Sequence, residues 1–354
     1  LSGLVRAGIP SVKITPERTN TWNLGLDVAM FNNRLTFSLD YFDSRSKDLI
    51  MPVTISSVYG TDCMYRNLGE VSNKGIEFGA QLALIQNRDF KWYVGGTIST
   101  NKNEVKSLGG ENSMILSMSD GSAVISEVGQ SLYSFYGYQT DGVFATDDAV
   151  VAAGKDGQAL TNAIGVAFAA GDMRFVDQNG DGKIDKEDRV NLGNALPDFY
   201  GTFYTNFQYK GLAVSAVFGY SKGNKMYNVV RRTMESMSDF SNQLTSVTRR
   251  WMYEGQITDI PRAVYGDPME NSRFSDRWIE DASYLKLKEL MVSYKFNLFA
   301  GTTVFVAAEN LFTATKYLGM DPETMYSYDS SMRGFDYGKI ASPRTVKLGF
   351  KVQF

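Results

Sequence analysis

Histidine is absent from this chain of 354 residues, and cysteine occurs once, at Cys63. Without histidine, serine–histidine and cysteine–histidine catalysis and histidine-ligated zinc are excluded within the chain. A lone cysteine makes no internal disulfide, and Cys63 reads as a small residue in a loop. Charge of one sign is also lacking: 36 Lys and Arg stand against 39 Asp and Glu, a net charge of −3. Nucleic acid, which calls for a basic stripe, is not an expected partner. No apolar run reaches the roughly 18 residues of a membrane-spanning helix. A β-barrel escapes that test, because half of each of its strands faces water. Catalytic groupings are missing as well. Glu187-Asp188 and Glu280-Asp281 are adjacent pairs with no converging group in view, and Gly109-Gly110 lacks the strand–loop–helix setting of a phosphate site. No enzymatic activity is expected.

Aromatic residues are abundant instead, at 13%, which suits the girdles of a membrane barrel. The closing stretch alternates most plainly. Val346, Leu348, Phe350, Val352 and Phe354 form one row; Thr345, Lys347, Gly349, Lys351 and Gln353 form the other. Successive side chains of a strand point to opposite faces, so one face is apolar and the other polar or small. Alone, this stretch fits a half-buried strand of a soluble sheet equally well. The pattern recurs upstream. Trp22, Leu24, Leu26, Val28 and Met30 precede an Asn32-Asn33 turn, and Leu35, Phe37, Leu39 and Tyr41 return from it. Segments 76–84 and 92–100 flank Asn87-Arg88, and 199–209 and 212–220 flank Lys210-Gly211. Segments 284–296 and 303–311 make a fourth hairpin, with a bulge predicted at Lys288-Glu289, where the apolar phase slips.

The connections alternate short and long. Residues 45–72, 102–197, 222–283 and 312–342 are the expected long loops, with a strand over 133–144 and a helix over 229–252. Outer-membrane barrels have this asymmetry, with short periplasmic turns and long outer loops. A ten-residue strand rises roughly 33 Å and, tilted by about 40°, covers about 25 Å, the height of the lipid-facing band. The count is about nine wall strands, an odd number, whereas single-chain bacterial barrels have an even one. The expectation is an all-β transmembrane antiparallel barrel of which 1–354 forms the C-terminal part, with the remaining strands before Leu1.

One loop carries specific chemistry. Residues 177–188 fit a twelve-residue calcium loop. Asp177, Asn179 and Asp181 would give side-chain oxygens, Lys183 its carbonyl, Gly182 the sharp turn, and Ile184 the anchor. Asp185 would bind directly or through water, and Asp188 stands where a bidentate Glu is usual, so a structural Ca²⁺ of modest affinity is expected. Asp120-Gly121 and Asp141-Gly142 read as turn geometry, and Trp251, Tyr253, Trp278 and Tyr284 as loop packing or girdle.

Several stretches resemble the SusC/RagA family of TonB-dependent outer-membrane transporters of Bacteroidota. They are Pro16-Glu17-Arg18-Thr19-Asn20-Thr21-Trp22-Asn23-Leu24-Gly25-Leu26-Asp27, Phe31-Asn32-Asn33-Arg34-Leu35 and, most diagnostic, Asn67-Leu68-Gly69-Glu70-Val71-Ser72-Asn73-Lys74-Gly75-Ile76-Glu77. Gly171-Asp172-Met173-Arg174-Phe175-Val176-Asp177, Asp281 through Leu290, and Ala308-Glu309-Asn310-Leu311-Phe312 follow in family order. The resemblance implies a barrel of about 22 strands closed by a plug, with this chain as the last nine. It also implies uptake of a large nutrient, glycan or oligopeptide. The implied partners are a SusD-like surface lipoprotein as lid, TonB acting through a plug that is not in this chain, and outer-membrane lipid. The alternatives are a plugless porin or structural barrel, or a secreted calcium-stabilised β-protein that binds carbohydrate.

Overall fold

Alternating sequence becomes wall. The computed structural model describes residues 11, 13–61, 63–296 and 301–353. Nine strands pair in chain order, each antiparallel to the next: β1 (Arg18–Met30), β2 (Leu35–Thr54), β3 (Cys63–Gln86), β4 (Phe90–Ser99), β5 (Phe199–Tyr209), β6 (Leu212–Lys222), β7 (Tyr284–Phe296), β8 (Gly301–Thr315) and β9 (Thr345–Gln353). β1 and β9 are the two edges of this path. The register carries one apolar row across it: Leu35, Leu82, Val94, Thr205, Ala216, Leu290, Ala308 and Val346 stand opposite one another from strand to strand. Rows parallel to it are exposed, including Leu24, Phe78, Phe203, Val306, Leu348 and Phe350. A sandwich would cover these rows with a second sheet. Among the described residues no second sheet lies over them, as in a wall whose apolar rows face lipid.

The turn chemistry follows the expected lines. Phe31, Asn32 and Asn33 all take positive φ, and Arg34 N–H closes the turn on Phe31 O at 3.3 Å. Lys210 also takes positive φ beside Gly211. The turn between β7 and β8 falls on 297–300, outside the described residues. The bulge sits at Lys288: Phe218 opposes Leu287 and the adjacent Val217 opposes Glu289, leaving Lys288 as the extra residue. Phe354 also lies outside the described residues.

Three expectations need correction. Residues 45–72 are mostly strand: β2 runs to Thr54 and β3 begins at Cys63, so the connection shrinks to 55–62. Alternation fails there because this part of the ladder is polar on both faces, as in Asp43, Ser44, Arg45, Ser46 and Lys47, and the hydrophobic period vanishes while the hydrogen bonds continue. The helix over 229–252 breaks into α2 (Val229–Glu235) and a 3₁₀ turn, Thr245–Arg249. Met237 at φ 52° interrupts it, and Phe240, within that span, is exposed. The strand over 133–144 is two strands, Ser134–Tyr138 and Thr140–Val143, which pair within the loop region and not with the wall.

β3 changes partner along its length. Its lower part pairs with β4, and its upper part with the strand Lys102–Leu108. The changeover is at Gly75, where an added Cβ would lie 2.1 Å from Thr100 O and 2.5 Å from the Phe42 ring. Gly75→Val in the full-length protein is therefore expected to destabilise the barrel by roughly 1–3 kcal/mol, read from its urea midpoint in lipid. An unchanged midpoint would contradict this account of the glycine.

Most of the buried core sits outside the wall, apart from Met51 and Val71 of β2 and β3, which pack with Val105 and Leu108. One cluster joins Phe144, Val150 and Leu160 of the first long region, 100–198, with its Phe168, Met173, Phe175 and Ile184 and with Met269 of the second, 223–283. Another joins Val124, Phe135 and Leu192 to Tyr227, Phe274 and Trp278 and to Phe335 of the third, 316–344. Loops that share a core form one packed body beside the sheet, including α1 (Asp147–Ala153), which Thr146 caps by accepting from Ala149 N–H at 3.2 Å.

Candidate functional site

The polar face of the sheet carries the side chains opposite the apolar rows. Asp40 and Glu77 stand opposite each other, Asp27 opposes Ser38, and Gln81 opposes Thr36. Tyr204 Oη donates to Gln81 Oε1 at 2.8 Å, the Thr97 and Thr202 hydroxyls meet at 3.0 Å, and Lys347 pairs with Glu309 across β8 and β9. This is the face that spacing assigned to a wet interior. Gly349 belongs to it because the Phe305 ring covers it: an added Cβ would come within 2.4 Å.

The loop body is tied by buried polar joints, which the sequence did not announce. Asp172, fully buried, takes a two-pronged contact from Arg262, Nε to Oδ1 at 2.8 Å and Nη2 to Oδ2 at 3.0 Å. Asn271 Nδ2 donates to Oδ1 at 3.1 Å, and Ala169 N–H to Oδ2 at 2.9 Å. Gly171, at φ 88°, lets its neighbour reach this clamp: a Cβ there would lie 2.5 Å from the Trp251 ring. The one available signal was an aspartate inside the conspicuous 171–177 stretch. At a second joint, Tyr337 Oη and Tyr227 Oη donate to Asp120 Oδ2 at 3.1 and 3.4 Å, and Arg232 Nη1 donates to Asp120 O at 3.0 Å. Asp120 thus joins all three long regions, which is more than the turn geometry it was assigned. Trp278 is buried, with Arg277 and Arg231 near its ring, as packing predicted.

A third joint titrates. Glu235, at the end of α2, takes Arg277 Nη2 at 3.0 Å and the Ser246 hydroxyl at 2.6 Å, with Arg231 Nε at 3.4 Å. Burial pushes its carboxyl up, but these partners outweigh burial and hold it below its ordinary value of 4.5. A depressed carboxyl stabilises the fold above that ordinary value, and the stabilisation is lost as pH falls through the folded value. The loop body is expected to become protease-sensitive below about pH 4.5, and Glu235→Gln to be just as sensitive already at pH 7. Equal resistance of the variant and the parent at pH 7 would contradict this role. The third long region has its own latch: Lys286, buried on β7, meets Asp321 at 3.1 Å and Glu323 at 2.8 Å. Burial pushes Glu323 up, but hydrogen bonds from Lys286, Lys288 and Tyr284 hold it below its ordinary range.

The 177–188 loop keeps part of its expected geometry. Gly182 takes φ 84°, and Ile184 is buried as the anchor, pairing in parallel with Asn162. Asp177 accepts from Gly180 and Gly182 N–H, both at 2.7 Å, Asn179 from Asp181 N–H at 2.9 Å, and Asp181 from Lys183 N–H at 2.9 Å. Those bonds turn the three oxygen-bearing side chains back onto their own loop. Asp185 and Asp188 form a reciprocal cap on the 3₁₀ turn Lys186–Asp188; Asp188 is fully buried and accepts from Gln178 N–H at 2.8 Å and Asp185 N–H at 2.7 Å. Among the described residues no three acidic side chains stand together as a ready ligand set.

A wall of antiparallel strands, apolar rows outward and polar rows opposite, with a packed loop body between alternate strands, defines an outer-membrane type of β-barrel wall. The chain belongs to the TonB-dependent receptor β-barrel family: the family model "TonB dependent receptor-like, beta-barrel" matches residues 7–311. Among curated proteins it is similar to TonB-dependent receptor P3 of Formosa agariphila, 30% identical over 373 residues, covering all of this chain and 36% of that protein. It is also similar to TonB-dependent receptor SusC of Bacteroides thetaiotaomicron, 27% identical over 361 residues, covering 96% of this chain and 32% of that protein. The chain thus spans about a third of the length of these relatives. Among solved structures it matches that of the RagAB peptide transporter with a TM-score of 0.75 at 24% identity, covering 94% of this chain and 35% of that one, a likeness of fold. Members of this family are transporters, not enzymes.

Proposed function

We propose that this chain is part of a transporter that brings a large nutrient, glycan or oligopeptide, across the outer membrane, with TonB acting through a plug domain elsewhere in the protein and a SusD-like lipoprotein as lid. The observation that carries this reading is the wall of nine strands paired in chain order, with exposed apolar rows on one face and polar rows on the other. The loop body supports it: a rigid, cross-tied rim exposes Phe240, Ile257 and Tyr328, side chains suited to a lid protein. The test is uptake. Deleting the full-length gene is expected to abolish accumulation of the labelled nutrient, as is collapsing the proton gradient with an uncoupler. Accumulation that continues with the uncoupler present would contradict TonB coupling, and purification from outer membrane without any lipoprotein would contradict the lid.

The same reading includes a structural Ca²⁺ at the 177–188 loop. Asp177, Asn179 and Asp181, with the Lys183 carbonyl, would hold it, and their oxygens already line one short turn around Gly182. Asp185 and Asp188 would support the loop from behind, given their mutual cap. A calorimetric titration of the full-length protein is expected to show Ca²⁺ binding that Asp181→Ala removes. Ca²⁺ at 100 times its Kd would add about 2.7 kcal/mol to the stability of that loop. No heat on titration, with Asp181→Ala as protease-resistant as the parent, would remove the ion from this account.

A further inference from the structure

We infer that the cavity between the first and second long regions is a recognition site for an acidic saccharide, one bearing carboxylate or sulfate groups. The inference rests on the transporter reading and deepens it by naming a substrate class. The cavity has a volume of about 450 Å³, and three guanidinium groups line it, those of Arg189, Arg232 and Arg273. That volume lies within the roughly 300–1,000 Å³ usual for small-ligand sites.

The three arginines are held in one manner. Arg232 Nε donates to Ser272 O at 2.7 Å, Arg273 Nε to Glu270 O at 3.1 Å, and Arg189 Nε to Lys186 O at 3.4 Å. Each is thus anchored at its inner nitrogen by a main-chain carbonyl. Arg232 uses Nη1 on Asp120 O and Tyr227 Oη, and Arg273 uses Nη2 on Met269 O and on Glu270 Oε2, the latter at 3.4 Å. Arg232 Nη2, Arg273 Nη1 and both terminal nitrogens of Arg189 have no partner among the described residues. Stacking stiffens two of the groups further: Arg189 lies 5.2 Å from the centre of the Tyr136 ring, and Arg273 lies 4.9 Å from that of Tyr138. Fixed, unspent N–H donors in a fork geometry match the oxygens of a carboxylate or sulfate.

The other charges of the lining separate a saccharide from a peptide. Asp267 and Glu270 also line the cavity. Asp267 is spent mainly on the N–H of Asn271 and the N–H and hydroxyl of Ser272, at 2.8, 2.8 and 2.6 Å. The Glu270 carboxylate is largely exposed and, among the described residues, pairs with Arg273. The lining thus offers both unspent N–H donors and carboxylate acceptors, with Arg232 also facing the Asp120 carboxylate at 3.9 Å. A saccharide satisfies both, its acidic group on the arginines and its hydroxyls on Glu270 and Asp267. An acidic peptide would bring further carboxylates against those same acceptors.

The test is calorimetry on the purified full-length protein in detergent, with three probes of equal length: a tetrauronate, a sulfated tetrasaccharide and a neutral tetrasaccharide. An acidic hexapeptide is the fourth. The acidic saccharides are expected to bind at least tenfold more tightly than the neutral one and to weaken with added salt. Arg189→Gln, whose parent side chain makes one weak backbone bond, is expected to cost about tenfold on the acidic probes, the loss of one charge-assisted hydrogen bond. The relative strength of the uronate and the sulfate separates the two sources of the oxyanion. Equal binding of neutral and acidic saccharides, no binding of either acidic saccharide, binding of the peptide alone, or Arg189→Gln behaving as the parent would each overturn the inference. None of these results bears on the uncoupler-sensitive uptake that tests the transporter reading.

Discussion

Val306→Arg in the full-length protein is expected to cost roughly 2–4 kcal/mol of barrel stability in lipid. Val306 stands between Val292 on β7 and Leu348 on β9, and all three are exposed. In a bilayer that exposure is to hydrocarbon, and a guanidinium there loses its hydration. One residue pair along, Ser293 opposes Phe305, which opposes Gly349, on the polar face. Ser293→Arg is expected to be tolerated within about 1 kcal/mol, since a charge on the wet side keeps its water. The urea midpoints of the two variants in lipid vesicles separate the cases. A soluble sheet with a bare apolar face would give the reverse order, because a surface arginine in place of an exposed valine is harmless or solubilising.

Arg262→Ala is the second large effect. It leaves Asp172, fully buried, without its cation, although Asn271 and Ala169 N–H still touch it. Stranding a buried charge costs roughly 3–5 kcal/mol. The converse change, Asp172→Ala, is expected to cost less, because Arg262 is one-third exposed and water can take over its hydrogen bonds. The damage belongs to the loop body and not to the wall: protease should nick 160–175 while the barrel keeps its urea midpoint. A double-mutant cycle over the pair should return a coupling above 1 kcal/mol, and a coupling near zero would make the clamp incidental.

The wall was legible because lipid on one side and water on the other impose a period of two, and Leu24, Leu26 and Val28 carry it without interruption. The slip at Lys288 was legible for the same reason: a bulge leaves a phase change in the side chains. The upper ladder of β2 and β3 was not, since Asp43 through Lys47 pair by backbone alone and no apolar face records the pairing. The loop body was nearly silent. Asp172 meets Arg262 across 90 residues, and Asp120 meets Tyr337 across 217. Such joints have no local spacing to read. The 177–188 loop shows the opposite case: its spacing was clear, and its carboxylates accept from their own backbone while keeping lone pairs that an ion could use.

The central claim is that apolar rows face lipid and polar rows face water. Single cysteines at Phe350 and Lys351, introduced with Cys63→Ser into the full-length protein, test it directly in intact outer membranes. Position 350 should resist a water-soluble maleimide and, once labelled in detergent, be quenched by lipid-borne spin labels, while position 351 should react readily and stay unquenched. Equal reaction at the two positions would contradict the account.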